Sequence, residues 1–190
     1  MKRYVFVVVL TASLIAAAGP ALAAEEKGAG ITIDGSLILA TEPVGGYDST
    51  VGIGVGALID LSKQMGTSRK DMKIGIRGDL SYFDFDGSYY GVGVSYTRLV
   101  LFGGPRITFI PGNDKVQPYV EGGLELAYDD VGTYAPGFGS SSATDINLGI
   151  AGGGGVDFLL APNVKLGVNG RLHIISDSFL SLGVTLGFMF

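Results

Sequence analysis

The amino-acid sequence predicts an all-β fold, an eight-stranded antiparallel up-and-down transmembrane β-barrel. Apolar residues alternate with small or polar residues in eight successive segments, which is the pattern of strands that bury one face. The chain contains 32 glycines in 190 residues, well above the ~7% typical of soluble proteins. After residue 23 no apolar stretch is long enough for a helical membrane span, although only 16% of all residues are charged.

The first 23 residues have the composition of a secretory signal peptide. Lys2 and Arg3 form a short basic head, an apolar run follows from Tyr4 to about Gly19, and the small residues 21–23 precede the expected cut. A retained membrane helix is the weaker alternative, because the run is shorter than a span and leads directly into that cut. The sequence therefore predicts cleavage of residues 1–23 and one mature barrel domain of residues 24–190, with no cysteine near the cut to carry a lipid anchor.

Each of the first four predicted strands presents apolar residues at every second position. The apolar sets are, in order, Ile31, Ile33, Leu37 and Leu39; Val51, Ile53, Val55, Ala57, Ile59 and Leu61; Met72, Ile74, Ile76, Leu80 and Tyr82; and Tyr90, Val92, Val94 and Tyr96. A hairpin around residues 103–105 would add two strands, but its five-residue arms reach only about 17 Å, less than a membrane strand needs. We therefore expect one long strand with a bulge. Beyond Tyr96 the sequence does not decide which residues of this strand face lipid, because continuing the alternation would place Arg98 in the lipid.

The last four predicted strands continue the alternation. Their apolar sets are Val120, Leu124, Leu126 and Tyr128; Ile146, Leu148, Ile150, Val156 and Phe158; Val164, Leu166, Val168, Leu172 and Ile174; and Leu182, Val184, Leu186, Phe188 and Phe190. The segments between strands are rich in turn residues and alternate between two ends, as a meander requires. The predicted loops at one end are residues 41–49, 84–88, 130–144 and 176–178, and those at the other end are residues 62–71, 111–117 and 161–163.

The distribution of charge favours a membrane barrel over a soluble one. A soluble barrel turns its apolar face inward and a membrane barrel turns it outward, so alternation alone fits both. Most apolar sets extend over about nine to eleven residues, the length of a tilted membrane strand. The opposite faces are mostly glycine, serine, threonine and asparagine with few charges, and closure satisfies every backbone group in lipid. A soluble exported ligand-binding barrel is the third hypothesis.

Composition and spacing exclude several classes of function. The chain has 13 basic and 18 acidic residues, which argues against nucleic acid as a partner. The absence of cysteine excludes disulfides and a thiol nucleophile. The segment DFDG (84–87) lacks the closing Glu of a calcium loop, and the glycine runs have the wrong spacing for a phosphate site. We therefore expect no cofactor, no metal and no catalytic residue.

Charged residues on the polar faces are predicted to line the barrel interior. Side chains fill an eight-stranded barrel, so opposite charges inside it must pair. The charged residues and the histidine with inward parity are Asp34, Asp60, Lys73, Arg77, Asp79, Glu121, Glu125, Asp157, Lys165, Arg171 and His173. The predicted lumenal charge network is centred on Arg77, Asp79, Glu121, Glu125, Lys165 and Arg171. A sealed polar core is the main hypothesis, and a narrow ion path gated by these pairs is the alternative.

Two segments give the chain a family resemblance. QPYVEGGLELAY (117–128) is similar to a Pro-Tyr-Val-x-Gly-Gly stretch that follows a periplasmic turn, and the chain ends in GVTLGFMF (183–190). The mature chain resembles the small outer-membrane barrels of Gram-negative bacteria, of the OmpA, OmpX and opacity-protein type. The resemblance implies a monomer in the bacterial outer membrane, with outer-membrane lipid, lipopolysaccharide, the barrel-assembly machinery and periplasmic chaperones as partners. Its implied role is structural, adhesive or surface-interacting, with a narrow porin-like channel as the alternative.

The resemblance also implies roles for particular residues. The apolar residues of the last strand look like the signal read by the barrel-assembly machinery, namely Val184, Leu186, Phe188 and Phe190, although Phe190 could also be a plain interfacial aromatic. Without tryptophan, the aromatic girdles would consist of Tyr82, Tyr90, Tyr96, Tyr128, Phe158 and Phe188. The loop 130–144, with Tyr134 and Phe138, is the candidate for extracellular contact.

Lipid A deacylases of this class offer a test for enzymatic activity. They place a His and a Ser two positions apart on one outer face of a strand. Here the single histidine, His173, is three positions from Ser176, which puts the two side chains on opposite faces. The sequence therefore predicts a protein that is not an enzyme.

Overall fold

The computed structural model describes residues 30–41, 48–63, 65–66, 71–89, 92–112, 115–135 and 139–190. Eight strands form one closed antiparallel barrel in which each strand pairs with its neighbours in sequence, so the predicted fold class is confirmed. The strands are β1 (Ile31–Ala40), β2 (Thr50–Asp60), β3 (Met72–Tyr89), β4 (Val92–Phe109), β5 (Val116–Ala135), β6 (Gly139–Ala161), β7 (Val164–Ile174) and β8 (Phe179–Met189). In these ranges no helix is long and apolar enough to cross a membrane. The predicted signal peptide lies outside the described residues.

The barrel closes where the first strand meets the last. β1 pairs with β8 from Thr32 opposite Met189 to Ala40 opposite Ser181. The ladder continues at the chain end, where the Phe190 N–H donates to the Ile31 carbonyl at 2.8 Å. Closure gives every strand two hydrogen-bonded neighbours, which removes the exposed edges that lipid does not tolerate.

The eight strands differ in length, and the four long ones project beyond the others. β1, β2, β7 and β8 have 10 or 11 residues, whereas β3 to β6 have 18 to 23. We call their projecting part the outer sheet; it comprises residues 84–89, 92–97, 130–135 and 139–144. β1 begins and β8 ends at the opposite end of the barrel. Bacterial outer-membrane barrels have short periplasmic turns and larger extracellular structures, so the outer sheet marks the extracellular end.

Two predicted loops are wrong, because their residues form most of the outer sheet. Residues 84–88 lie within β3, and the segment 130–144 supplies the end of β5 and the start of β6. Beyond the membrane both faces of a sheet meet water, so the polar and small residues there lose the alternation that marks a strand. Phe138, predicted for extracellular contact, lies outside the described residues.

β4 is one continuous strand without the predicted bulge. Its register with β3 is unbroken from Met72 opposite Phe109 to Tyr89 opposite Val92. Arg98 is fully buried in the lumen, and Tyr96 is buried there with 5% of its surface exposed. The predicted lipid-facing positions of Val94 and Tyr96 are therefore wrong, and the even-numbered residues of β4 face inward from Val94 to Thr108.

Outward-facing rows across β3 to β6 show where the membrane ends. Leu80, Leu101, Leu126 and Leu148 form one row, in which Leu148 is 80% exposed. The next row contains Tyr82, Leu99, Tyr128 and Ile146, and the row after it contains Asp84, Thr97, Asp130 and Thr144. The change from apolar to polar residues at the tyrosine row is typical of the outer interface of a membrane barrel.

Candidate functional site

A chain of ion pairs crosses the middle of the lumen. The Arg77 guanidinium from β3 binds Asp34 of β1, with Nη2 donating to Oδ1 at 2.7 Å, and its Nε contacts Asp79 at 3.3 Å. Arg171 from β7 donates to both oxygens of Asp79 at 3.0 and 2.9 Å and to Glu121 of β5 at 2.5 Å. These five side chains are mostly buried. The network therefore ties four strands together through charge-assisted hydrogen bonds.

A second charge cluster lies nearer the periplasmic end. Lys165 Nζ donates to Asp157 at 2.8 Å, and Arg106 also donates to Asp157 and contacts Thr108 at 3.4 Å. The Arg106 guanidinium lies over the Tyr119 ring, 3.3 Å from its centroid. Two cations therefore share one carboxylate in this cluster, and an aromatic face supports one of them.

Glu125, His173 and Ser181 form a third buried cluster above the central network. His173 Nδ1 lies 2.8 Å from Glu125 Oε1, and His173 Nε2 lies 2.8 Å from Ser181 Oγ. The connectivity matches that of a serine, histidine and acid triad. All three groups face the lumen and are nearly inaccessible, and the Phe179 ring stacks on the imidazole with centroids 4.1 Å apart.

Aromatic side chains close the extracellular end of the lumen. We call Phe83, Phe85, Tyr96 and Phe179 the aromatic cap. Phe83 meets Phe179 edge to face at 5.6 Å, and Phe85 stacks on Tyr96 at 5.6 Å. The cap is packed with Ile38, Ala40, Val100 and Ala127. The upper lumen therefore contains an apolar core that the sequence did not predict; Tyr96 was assigned to the lipid interface, and the three phenylalanines were not assigned.

The Arg98 side chain forms a two-pronged ion pair beside the aromatic cap. Its Nε and Nη2 donate to the two carboxylate oxygens of Asp129 at 2.7 and 2.9 Å, and Asn147 donates to the same carboxylate at 3.0 Å. The guanidinium also lies 5.0 Å from the Tyr96 ring centroid. A bidentate pair of this kind is among the strongest side-chain hydrogen bonds.

Glycines on neighbouring strands make room for the large lumenal side chains. A Cβ added at Gly52 would lie 2.5 Å from the Phe83 ring, and a Cβ added at Gly56 would lie 2.6 Å from the Arg77 guanidinium carbon. Both distances are closer than real side chains approach. The alternating glycines of β2 are therefore a steric requirement of a narrow, filled barrel.

The structure divides the predicted lumenal residues among these clusters. Arg77, Asp79, Glu121 and Arg171 meet in the central network, while Lys165 joins the lower cluster and Glu125 joins His173. Lys73 and Asp60 instead line a cavity of about 100 Å³ at the periplasmic mouth. The sequence left the phase of Arg98 open and did not assign Arg106 or Asp129 to the lumen. Arg98 and Arg106 are eight positions apart on β4 and therefore point to the same face of the strand. Placing Arg98 in the lumen would have placed Arg106 there as well.

The remaining predicted site residues lie on the outside of the barrel. Val184, Leu186 and Phe188 are exposed on the lipid face of β8, and Phe190 is 66% exposed beyond its end. Tyr134 is 61% exposed in the outer sheet. Of the predicted girdle residues, Tyr82 and Tyr128 lie in the outer interface row, Phe158 and Phe188 are exposed nearer the periplasmic end, and Tyr90 lies outside the described residues.

Comparison with known proteins agrees with this architecture. The model of the family described as "Outer membrane protein beta-barrel domain" matches residues 8–190. Ail, the attachment invasion locus protein of Yersinia pestis, is 16% identical with a TM-score of 0.57, over 87% of this chain and 100% of Ail. A major outer membrane protein from Thermus thermophilus is 13% identical with a TM-score of 0.57, over 86% and 100% of the two chains.

Ail has also been solved with sucrose octasulfate, a heparin analogue, and that structure is 17% identical with a TM-score of 0.56, over 85% of this chain and 97% of Ail. None of the curated proteins matches the sequence. At these identities the solved structures share the fold, and together with the family match they indicate the bacterial outer membrane. The chain belongs to the outer membrane protein beta-barrel domain family.

Proposed function

We propose that this protein is a sealed outer-membrane barrel that presents the outer sheet for contacts at the cell surface, in a structural, adhesive or surface-interaction role. The observation that carries the proposal is the projection of β3 to β6 beyond the tyrosine row. A barrel needs no such extension to span the membrane. Function on rigid scaffolds is commonly carried by the segments that project from them.

The sealed lumen is supported by the space left in the central network. The cavity beside Asp34, Arg77, Glu121 and Arg171 has a volume of about 10 Å³, the lower limit for a single water molecule. A pore would need a continuous wet path and a ring of like charge, whereas charges of both signs pair here. A porin-like channel, the second candidate, would require the bonds of Arg171 to break.

The chemistry of the outer sheet restricts its partner. The outer sheet includes Asp84, Asp86 and Asp130 and contains no lysine or arginine. A polyanion such as the heparin analogue bound by Ail would be repelled by these carboxylates. We therefore propose a neutral or basic partner for the outward face of the outer sheet, and we do not transfer the sulfated ligand to this chain.

The biogenesis and membrane contacts follow from the rest of the chain. We propose that residues 1–23 are removed during export and that Val184, Leu186, Phe188 and Phe190 present the signal to the barrel-assembly machinery after delivery by periplasmic chaperones. The mature chain is a monomer within its own membrane and contacts outer-membrane lipid and lipopolysaccharide. It performs no catalysis, because Ser181 and His173 are buried in the lumen and the Phe179 ring covers the imidazole.

The experiment that tests this proposal compares the full chain with a shortened barrel. Phe83 pairs with Arg98 and Asp129 pairs with Asp145, so residues 84–97 and 130–144 can each be replaced by a two-residue Asn-Gly hairpin turn. Both proteins are placed in fluorescent vesicles, checked for folding by the heat-dependent shift in electrophoretic mobility, and applied to cultured epithelial cells. Protein-free vesicles are the baseline.

We expect the full chain to attach several-fold more than the shortened barrel, which should not exceed the baseline. Equal attachment of the two proteins would refute a role for the outer sheet. In planar bilayers we expect no current from the folded full chain. Discrete conductance that changes in an Arg171→Met variant would support the channel and refute the sealed lumen.

A further inference from the structure

The two edges of the outer sheet are not equivalent. On the β3 side, the Asp48 N–H donates to the Asp86 carbonyl at 3.1 Å and the Thr50 hydroxyl donates to the Asp84 carbonyl at 2.5 Å. On the β6 side, pairing with β7 begins only at Ile150. Among the residues that the structure describes, no strand pairs with residues 139–148 on that side. We call this stretch of backbone the free edge.

The free edge has few of the features that normally prevent strands from associating. Exposed edges are usually protected by charged side chains, lysine above all, by proline or by a bulge, and Asp145 is the one charged residue of the free edge. Residues 139–148 have the sequence GSSSATDINL, without lysine or proline, and the β5–β6 register runs without a shift from Gly139 to Phe158. Seven of these residues, 139–145, lie beyond the interface row that contains Ile146, and in extended form they span about 23 Å. An unprotected edge of this length is a template for another strand.

The topology restricts how a second copy could use the free edge. The other side of β6 is occupied by β5, so two copies would have to offer the same edge to each other. If a two-fold axis related two copies with parallel β6 strands, each backbone N–H would face the same N–H of its partner and no hydrogen bond could form. In an antiparallel pair each N–H faces a C=O instead. Copies in one membrane carry β6 in the same direction, and copies in two facing membranes carry it in opposite directions.

We propose that the free edges of two copies on apposed membranes pair as antiparallel strands, so that the protein joins one membrane surface to another. This inference rests on the proposed function of the outer sheet and adds a second copy of the chain as the partner of its free edge. The pairing is isologous and closed. It leaves the protein a monomer within each membrane.

The sequence of the free edge suits antiparallel self-pairing. A register centred on Ser142 sets Ser141 opposite Ala143 and Asp145 opposite Gly139, so that no carboxylate faces another. Like charges placed directly opposite each other destabilise a strand pair, and opposite charges stabilise it. The exposed position of Ser142 at the centre of this register therefore allows a charge-swap experiment.

The test uses vesicles in two dye colours, each carrying one variant, with clustering measured by energy transfer between the dyes. The native protein should cluster with itself and not with protein-free vesicles. Ser142→Asp against Ser142→Asp, and Ser142→Lys against Ser142→Lys, should each reduce clustering by about fivefold. Mixing Ser142→Asp vesicles with Ser142→Lys vesicles should restore clustering to at least about half of the native level.

Ser95 provides a matched control, because it is exposed and lies in the same outward row as Ser142, two strands from the free edge. Ser95→Asp and Ser95→Lys should cluster like the native protein. Equal effects at both positions, clustering with protein-free vesicles, or no rescue in the mixed pair would overturn the inference. Absence of native clustering would also overturn it, while loss of epithelial attachment in the shortened barrel would still support the proposed function.

Discussion

Replacing Arg171 with methionine removes the guanidinium that joins two carboxylates of the central network. Arg171 donates to Asp79 at 3.0 and 2.9 Å and to Glu121 at 2.5 Å, and none of these side chains is more than 12% exposed. Methionine keeps an unbranched side chain beside Phe102 but leaves Glu121 without a cationic partner among the described residues. Removing one partner of a buried pair costs about 3–5 kcal/mol, so the free energy of unfolding should fall by about that amount.

The loss can be measured by urea titration of the barrel refolded in phospholipid vesicles. The chain contains no tryptophan, so the folded fraction is best followed by the faster mobility of the unheated barrel in electrophoresis. Lys63→Met is a suitable control, because Lys63 is exposed at the periplasmic end, and its effect should stay within about 0.5 kcal/mol.

A second substitution separates the orphaned charge from lost packing. In the Arg171→Met background, Glu121→Gln neutralises the unpaired carboxylate and should recover about 0.5–3 kcal/mol, the usual range for coupled neighbours. A loss below about 1 kcal/mol for Arg171→Met would refute the view that the network stabilises the barrel. Additive effects of the two substitutions would refute the direct coupling.

Three further predictions follow from named positions. Gly56→Ala sets a methyl group against the Arg77 guanidinium and should lower the free energy of unfolding by about 1–3 kcal/mol. At Gly103 an added Cβ meets no atom within 4 Å, so Gly103→Ala should change the free energy of unfolding by less than about 0.5 kcal/mol. Equal losses for the two variants would contradict the steric role of Gly56. Phe190→Ser should reduce the amount of folded barrel in cell membranes several-fold, as measured by the heat-dependent mobility shift, and leave the urea midpoint of the refolded protein nearly unchanged. A parallel fall in both quantities would argue for a plain packing role. Tyr134→Ala should preserve the unfolding free energy within about 0.5 kcal/mol and reduce epithelial attachment, and unchanged attachment would exclude this side chain from the contact.

Alternation was a sufficient guide to the fold inside the membrane, because lipid and lumen impose opposite chemistry on the two faces of each strand. The lipid-facing residues of β8, such as Leu182 and Phe188, follow directly from this rule. Outside the membrane the rule fails, because both faces of the outer sheet meet water. Ser142 and Gly132 then resemble loop residues although their backbones are paired.

The phase of β4 and the individual ion pairs required the three-dimensional register. In the sequence, Tyr96 and Arg98 share one parity, so one rule places the tyrosine in lipid and another places the arginine in the lumen. The structure resolves the conflict by placing both inside, where the guanidinium lies over the ring. Parity also placed Asp79 and Arg171 inside the lumen, but which carboxylate Arg171 meets depends on shear and side-chain reach across the barrel, which a single sequence does not encode locally.

The aromatic cap links the filled lumen to the outer sheet. Phe85 and Tyr96 belong to the outer sheet and stack on each other, while Phe179 reaches Phe85 from β8 on the other side of the barrel. Val131, in the β5 part of the outer sheet, packs against the same cluster. Burial across the mouth of the barrel therefore holds the base of the outer sheet in one orientation. A fixed orientation lowers the ordering cost of association, which is what an edge needs if it is to meet an antiparallel partner on a facing membrane.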